Sequence, residues 1–292
     1  MLRTRTGRFP IGLRRSFPEW HKDLGALIEW MKKNDLGVLD LGSDADTTAK
    51  QVIGAGLRIG SVDLPGWQAL LSKDKGKRRN AVARASAYIQ ACRKAAGGPL
   101  NFFTVMLPED RGLPRTENFG YMVESFSALT PVLEEHDSAI VIEGWPGPGA
   151  LCCTPETYRA FFEKCPSRAM GVNFDPSHLI RMGIDPLRFL REFGDRVYHV
   201  HGKDTELLSD ELYDFGNTQA ATFAGGIPFG GTYWRYTIPG HGVMRWGEGF
   251  KTLKTLGYEG CVSIELEDAN FFSGDDVTKA GILYGAHYLE GC

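Results

Sequence analysis

Met170-Gly-Val-Asn-Phe-Asp-Pro-Ser-His-Leu-Ile-Arg-Met-Gly-Ile-Asp-Pro-Leu-Arg-Phe-Leu-Arg-Glu-Phe-Gly-Asp-Arg-Val-Tyr-His-Val-His-Gly-Lys-Asp204 holds one full period of the pattern that decides the fold. An apolar run, Met170 to Phe174, reads as a buried strand and stops at a carboxylate, Asp175. Asp185 then caps a helix over Pro186 to Phe193, with proline in its first turn. A second apolar run, Val197 to His201, ends on an imidazole. Strand, helix, strand in this order is the repeating unit of a parallel sheet.

Working outward, the same rhythm repeats on both sides. Strands are expected at Phe9–Leu13, Gly37–Leu41, Leu57–Leu64, Asn101–Leu107 and Ala139–Glu143, and again at Cys261–Leu266. Helical spacing appears between them: Leu24 to Met31, closed by Asn34-Asp35, then Thr47–Ala55, Asn80–Ala96, Glu117–Glu135 and Pro155–Lys164. Trp246–Leu256 and Val277–Leu289 complete the series. Thr154 with Pro155 marks one helix start, and Gly97-Gly98 marks one helix end. Eight strand–helix units predict a single (β/α)8 TIM barrel domain over residues 1–292. A doubly wound open sheet would carry a glycine-rich phosphate turn after its first strand. Here Arg14-Arg15-Ser16-Phe17-Pro18 follows instead.

One connection breaks the rhythm. Residues 205–243 separate the seventh strand from its helix, far more than an ordinary βα loop. The segment is rich in glycine and aromatics from Phe223 to Tyr236. In a barrel it falls on the C-terminal face, where active sites are built, and it reads as an inserted lid. A packed surface excursion or an oligomer contact is the other reading.

Composition bounds the function. The chain has 292 residues, 42% hydrophobic and 24% charged, with a formal net charge of −3. That balance lacks the basic footprint of a nucleic-acid binder. No apolar run approaches the ~18 residues of a membrane span. The arginine-bearing N-terminus lacks the apolar core of a secretory signal. Six cysteines form no C-x-x-C pair, so reduced thiols in a cytoplasmic protein are expected. Homo-oligomerisation is left open.

The ends of the last four strands share one feature: Glu143, Asp175, His201 and Glu265 each follow apolar strand residues. An isolated charge there is costly to bury unless it is paired or bound to metal. In a barrel these ends are neighbours on one rim. Three carboxylates and an imidazole suit one divalent ion, Mn2+, Mg2+ or Co2+, with Zn2+ as the alternative. Separations of 32 and 26 residues match single barrel units, and 64 residues match one unit plus the insertion. His199 shares a strand face with His201 and is expected deeper, as a hydrogen-bonded interior histidine. His178 in the loop after Asp175, Lys203 near the rim, Arg235 in the long loop and Trp145 beside Glu143 are candidate substrate contacts. An ion pair is the alternative for Lys203 and Arg235, and simple packing for Trp145.

These motifs resemble the xylose-isomerase-like barrel superfamily of sugar isomerases and epimerases. Val-Ile-Glu143-Gly-Trp is similar to its fifth-strand metal glutamate. Asn173-Phe-Asp175-Pro-Ser-His178 is similar to its sixth-strand aspartate and following histidine. Tyr198-His-Val-His201-Gly-Lys203-Asp204 resembles an H-x-K-D motif. Pro239-Gly-His-Gly242, Trp246, Gly257-Tyr258-Glu-Gly260 and Ser263-Ile-Glu265 resemble the closing segments. The usual asparagine after the fifth-strand glutamate is replaced by Gly144-Trp145, and His241 stands where an acid is frequent.

The resemblance implies a metal-dependent sugar isomerase or epimerase. Its chemistry is proton abstraction beside a carbonyl, through an enediolate, with Glu143 and Glu265 as the acid/base pair. A metal-dependent lyase on keto-glycosides shares the first step. An AP-endonuclease-like phosphodiesterase would call for more histidines and a basic groove than 7 histidines and a net charge of −3 supply. A non-catalytic sugar-binding barrel has no use for four ligands. The expected partner is a small sugar or sugar derivative.

Overall fold

The computed structural model describes residues 1–16 and 18–292; Phe17, within the segment after the first strand, lies outside the described residues. Among the described residues the elements begin with β1 (Ile11–Arg14), α1 (Leu24–Lys33), β2 (Val38–Leu41), α2 (Ala45–Gly54) and β3 (Arg58–Asp63). Next come α3 (Lys75–Ala96), β4 (Asn101–Val105), α4 (Arg115–Glu135), β5 (Ala139–Glu143) and α5 (Pro155–Lys164). They continue with β6 (Met170–Phe174), α6 (Pro176–Arg181), α7 (Pro186–Phe193), β7 (Val197–Gly202) and β8 (Asp204–Leu207). The chain closes with α8 (Ser209–Phe215), β9 (Trp234–Thr237), α9 (Trp246–Thr255), β10 (Val262–Ile264) and α10 (Asp275–Glu290). Strands β1, β10, β7, β6, β5, β4, β3 and β2 hydrogen-bond in that order into a closed barrel, while β8 and β9 form a separate two-stranded sheet. This is the (β/α)8 architecture expected from the alternating pattern.

By packing, the chain divides into two compact units. One holds residues 39–174 and 195–200; the other holds residues 1–38, 175–194 and 201–292. In the first, β4, β5 and β6 pair in parallel register, Phe102 opposite Ile140 and Val141 opposite Gly171. β5 is buried along its whole length. Burial on both faces explains why its sequence is a continuous apolar run rather than an alternation. Thr154 caps α5 in a capping box with Thr157, and Pro155 sits in the first turn, where its missing N–H costs nothing.

In the second unit, β1 pairs in parallel with β10, Gly12 opposite Ser263. Asp185 caps α7 by accepting from the Leu187 and Arg188 amides, and the helix buries Leu187, Phe189, Leu190 and Phe193. Each such side chain contributes about 2 kcal/mol by leaving water.

Residues 205–243, expected as an inserted lid or a packed excursion, carry secondary structure of their own: β8 and β9 pair antiparallel, Thr205 opposite Tyr236 and Leu207 opposite Trp234, and α8 lies between them. Trp234-Arg-Tyr-Thr237 is a run of good strand formers whose partner lies some thirty residues earlier, beyond the reach of local pattern. The structure also places a short helix, α6, directly after Asp175, so His178 lies on a helix rather than in a loop.

A side chain at Gly12 has no room: its Cβ would lie 1.8 Å from the Val38 carbonyl oxygen. Gly12→Ala is therefore expected to lower stability by about 3 kcal/mol, an overpacking cost that thermal or urea unfolding measures; an unchanged midpoint would contradict this packing.

Candidate functional site

The four expected ligands are all buried at C-terminal strand ends. Glu143 is the last residue of β5, Asp175 the first after β6, His201 the penultimate residue of β7 and Glu265 the first after β10. Three of them meet in one unit. One ligand atom from each of Asp175, His201 and Glu265 lies within 4.8 Å of the others.

Asp175 does two jobs. Its Oδ1 caps α6, accepting from the Ser177 amide at 2.9 Å and the Ser177 hydroxyl at 2.6 Å. Its Oδ2 makes no hydrogen bond of good geometry and faces Lys203 Nζ at 3.1 Å and His178 Nε2 at 3.4 Å. The cap thus fixes the carboxylate plane and turns its second oxygen toward the cluster.

Glu265 is more tightly held. Arg14 Nε lies 3.0 Å from Oε1, while Lys203 Nζ at 2.6 Å and His201 Nδ1 at 3.2 Å share Oε2. Burial alone would raise its pKa. Lys203, His201 and Arg14 outweigh burial and hold the carboxyl well below the usual carboxylate range. Lys203, itself 1% exposed, also reaches Glu267 Oε2 at 3.0 Å, and its ammonium lies 4.7 Å from the centre of the Tyr236 ring. Lys203 is thus the cation common to three carboxylates.

In the other unit, Glu143 stands opposite Asn173 across the β5–β6 pair, and Asn173 Nδ2 donates to Glu143 Oε1 at 2.9 Å. Asn173 stands in turn opposite His199. Asp175 and His201 each lie two residues further along those chains, on the same strand faces. His199 is the interior histidine expected: its Nε2 lies 2.7 Å from Asp40 Oδ2, both side chains are fully buried, and Asp40 Oδ1 accepts from the Ser61 amide.

The remaining candidates separate. His178 is buried, with Nδ1 2.7 Å from Tyr236 Oη. Arg235 lies on β9 with its guanidinium between Glu206 at 2.6 Å and Asp268 at 3.3 Å, the ion-pair alternative for this residue. Trp145 is half-buried, its indole folded over Gly147, where a Cβ would lie 1.9 Å from the ring. Arg14, Glu267, Asn173 and Tyr236 were missed from sequence. Arg14 carried the same signal as the ligands, a charge at the end of an apolar strand.

Asp204, the acid of the H-x-K-D stretch, is structural. Its Oδ1 accepts from the Thr205 and Met244 amides and its Oδ2 from the Trp246 indole. Gly242 presses against it: a Cβ there would lie 2.2 Å from Oδ1. Burial raises its pKa from 3.8 to about 6, against the lowering effect of those three donors, and Asp175 adds to the rise. A carboxyl raised in the folded state gives stability that is full below the unfolded value and lost as pH climbs through the folded one. Asp204→Asn removes that loss. The variant's stability relative to wild type should therefore improve by about 3 kcal/mol as pH rises from about 4 past 6, read by urea unfolding across that range; a pH-independent difference would contradict it.

The chain belongs to the xylose isomerase-like TIM barrel family, whose profile matches residues 19–286. Among curated proteins it is 40% identical over 103 residues to the uncharacterized protein YfiH of Bacillus subtilis (strain 168), covering 34% of this chain and 31% of that one. It is 32% identical over 151 residues to the inosose dehydratase of Clostridium botulinum (strain Eklund 17B / Type B), covering 52% and 48%. The chain thus spans about half or less of the length of these relatives. Among solved structures it is similar to the 3-keto-D-glucoside 4-epimerase YcjR of E. coli, with TM-score 0.68, 15% identity and coverage of 97% and 100%. It is also similar to an IolI protein with a bound zinc atom, with TM-score 0.63, 14% identity and coverage of 96% and 95%. Both likenesses are of fold.

Proposed function

We propose that the protein is a divalent-metal-dependent sugar isomerase or epimerase, with Glu143, Asp175, His201 and Glu265 as the metal ligands. The observation that carries this reading is the gathering of buried, ligand-spaced oxygens and nitrogen from Asp175, His201 and Glu265. The donor set fits such an ion: Asp175 Oδ2 is buried and, although Lys203 and His178 face it, accepts no hydrogen bond of good geometry, and an imidazole stands among carboxylates. Glu143 is proposed as the fourth ligand because it is a buried carboxylate that closes β5. A bound Mn2+, Mg2+, Co2+ or Zn2+ would polarise a substrate carbonyl as a Lewis acid.

The chain's own groups would do the rest. One glutamate takes a proton from the carbon beside the carbonyl and the other returns one, in isomerisation or epimerisation. Burial alone would raise the Glu265 carboxyl, but Lys203, His201 and Arg14 hold it well below the usual carboxylate range, so it stands ionised beside the other proposed ligands. Lys203 supplies a positive charge beside the reacting oxygens, and His178 a directed ring nitrogen. The same reading takes residues 1–292 as one catalytic domain. Its free cysteines agree with a cytoplasmic location, and among the described residues no helix is long and apolar enough to cross a membrane.

A second reading, a lyase, is favoured by the curated relatives named inosose dehydratases, which match about half of this chain at 26% and 32% identity. It shares the proton abstraction and then expels a leaving group instead of reprotonating carbon.

Purified protein is expected to hold about one divalent ion, and Glu265→Gln to abolish solvent deuterium exchange into a turned-over sugar followed by NMR. No ion retained after reconstitution with Mn2+, Co2+, Mg2+ and Zn2+ would reject the site. Exchange that survives in the variant would place the base elsewhere. Product structure in the same spectra separates isomer, epimer and elimination product.

A further inference from the structure

The excursion after β7 reaches into the cluster with Tyr236, which is 5% exposed. Among the described residues its hydroxyl has two hydrogen-bond partners: Arg181 Nη1 at 2.6 Å and His178 Nδ1 at 2.7 Å. A guanidinium carries donors only. The phenol oxygen therefore accepts from Arg181, and the phenol hydrogen has a single acceptor, His178 Nδ1. At the far side of the same ring, His178 Nε2 lies 3.4 Å from Asp175 Oδ2. A carboxylate oxygen faces a hydrogen there favourably and a lone pair unfavourably. Both ends of the imidazole point to one arrangement.

We propose that Tyr236 is a positioning residue that locks His178 in the tautomer with hydrogen on Nε2, through the chain Arg181 to Tyr236 to His178 to Asp175. The opposite tautomer would strand the phenol hydrogen in a buried spot and turn a lone pair on Asp175. Packing keeps the phenol in place. Tyr236 meets His178 edge to face at 5.3 Å, Lys203 lies 4.7 Å from its centre, and the Arg181 guanidinium lies 4.3 Å from the centre of the Trp234 ring. The backbone is fixed too, since Tyr236 stands opposite Thr205 in the β8–β9 pair and its amide donates to the Phe229 carbonyl.

The consequence for recognition rests on the sugar-enzyme reading. That Nε2–H faces Asp175 Oδ2 without a hydrogen bond of good geometry, so a substrate oxygen that comes to share it must be an acceptor, a carbonyl or an ionising hydroxyl. The two-stranded excursion thereby decides what the barrel's histidine presents, which gives substrate preference a residue outside the barrel strands.

The test uses the full-length chain labelled with 15N, without metal or sugar, and reads the imidazole nitrogens of His178 by long-range proton–nitrogen correlation. His178→Gln assigns the signals by their loss. Wild type is expected to show a bare Nδ1 and a protonated Nε2. Tyr236→Phe keeps the ring and removes the hydroxyl, and should shift the tautomer ratio toward Nδ1–H by about fivefold or more, the worth of one hydrogen bond. Arg181→Met keeps the hydroxyl but frees it to accept from Nδ1–H, so the ratio moves the same way, and it serves if Tyr236→Phe does not fold. Hydrogen on Nδ1 in wild type, or a ratio unmoved in the folded variants, overturns the proposal. Because neither metal nor substrate is present, that failure leaves the catalytic reading untouched, and an inactive enzyme leaves the tautomer result standing.

Discussion

The contact of Glu265 with Arg14, His201 and Lys203 is the interaction on which the rest of the site depends. A carboxylate taken out of water must find cations or lose its charge. Here Arg14 at the end of β1, His201 in β7 and Lys203 just beyond it supply the nitrogen groups. Lys203 extends the network to Asp175 and Glu267. Such buried pairs are poor devices for stability, since apolar side chains of similar volume often do as well or better. Their presence in an otherwise close-packed interior therefore needs a reason other than stability. The same reasoning separates Asp204, whose oxygens are occupied by two amides and an indole, from its neighbours. It holds the closing turn rather than facing a ligand.

The excursion between β7 and α9 changes meaning once its pairing is known. Its strands carry Thr205, Glu206, Arg235 and Tyr236, and each is tied to something specific: Thr205 donates to the Ser177 carbonyl, and Arg235 joins Glu206 to Asp268. The region is bonded to α6 and to the segment after β10 by directed contacts, not laid over them. Tyr236 is the point at which this scaffold meets His178 and Lys203.

Much of this was legible in the residues. β5 and β6 announce themselves as short uninterrupted apolar runs, because strands covered on both faces have no solvent side to alternate with. Thr154-Pro155 and Asp185-Pro186 give helix starts whose capping bonds are present as expected. The carboxylates and His201 at strand ends followed from the cost of burying charge. What escaped was non-local. β8 reads Asp-Thr-Glu-Leu, which has no strong strand signature until β9 lies beside it. α6 had its signal in Asp175-Pro176, but at six residues it is too short for a periodic pattern to develop. Which way Arg235 or Trp145 faces is a tertiary matter, set by Glu206 and Asp268 in one case and by Gly147 in the other.

Helix α8 buries none of its residues, and Phe223 beyond it is fully exposed. Backbone that contributes so little to the interior can be cut or rejoined at small cost. The chain therefore carries a natural seam: new termini placed between Phe215 and Phe223 would let the polypeptide be permuted, or a reporter domain inserted, without severing a single stave of the barrel.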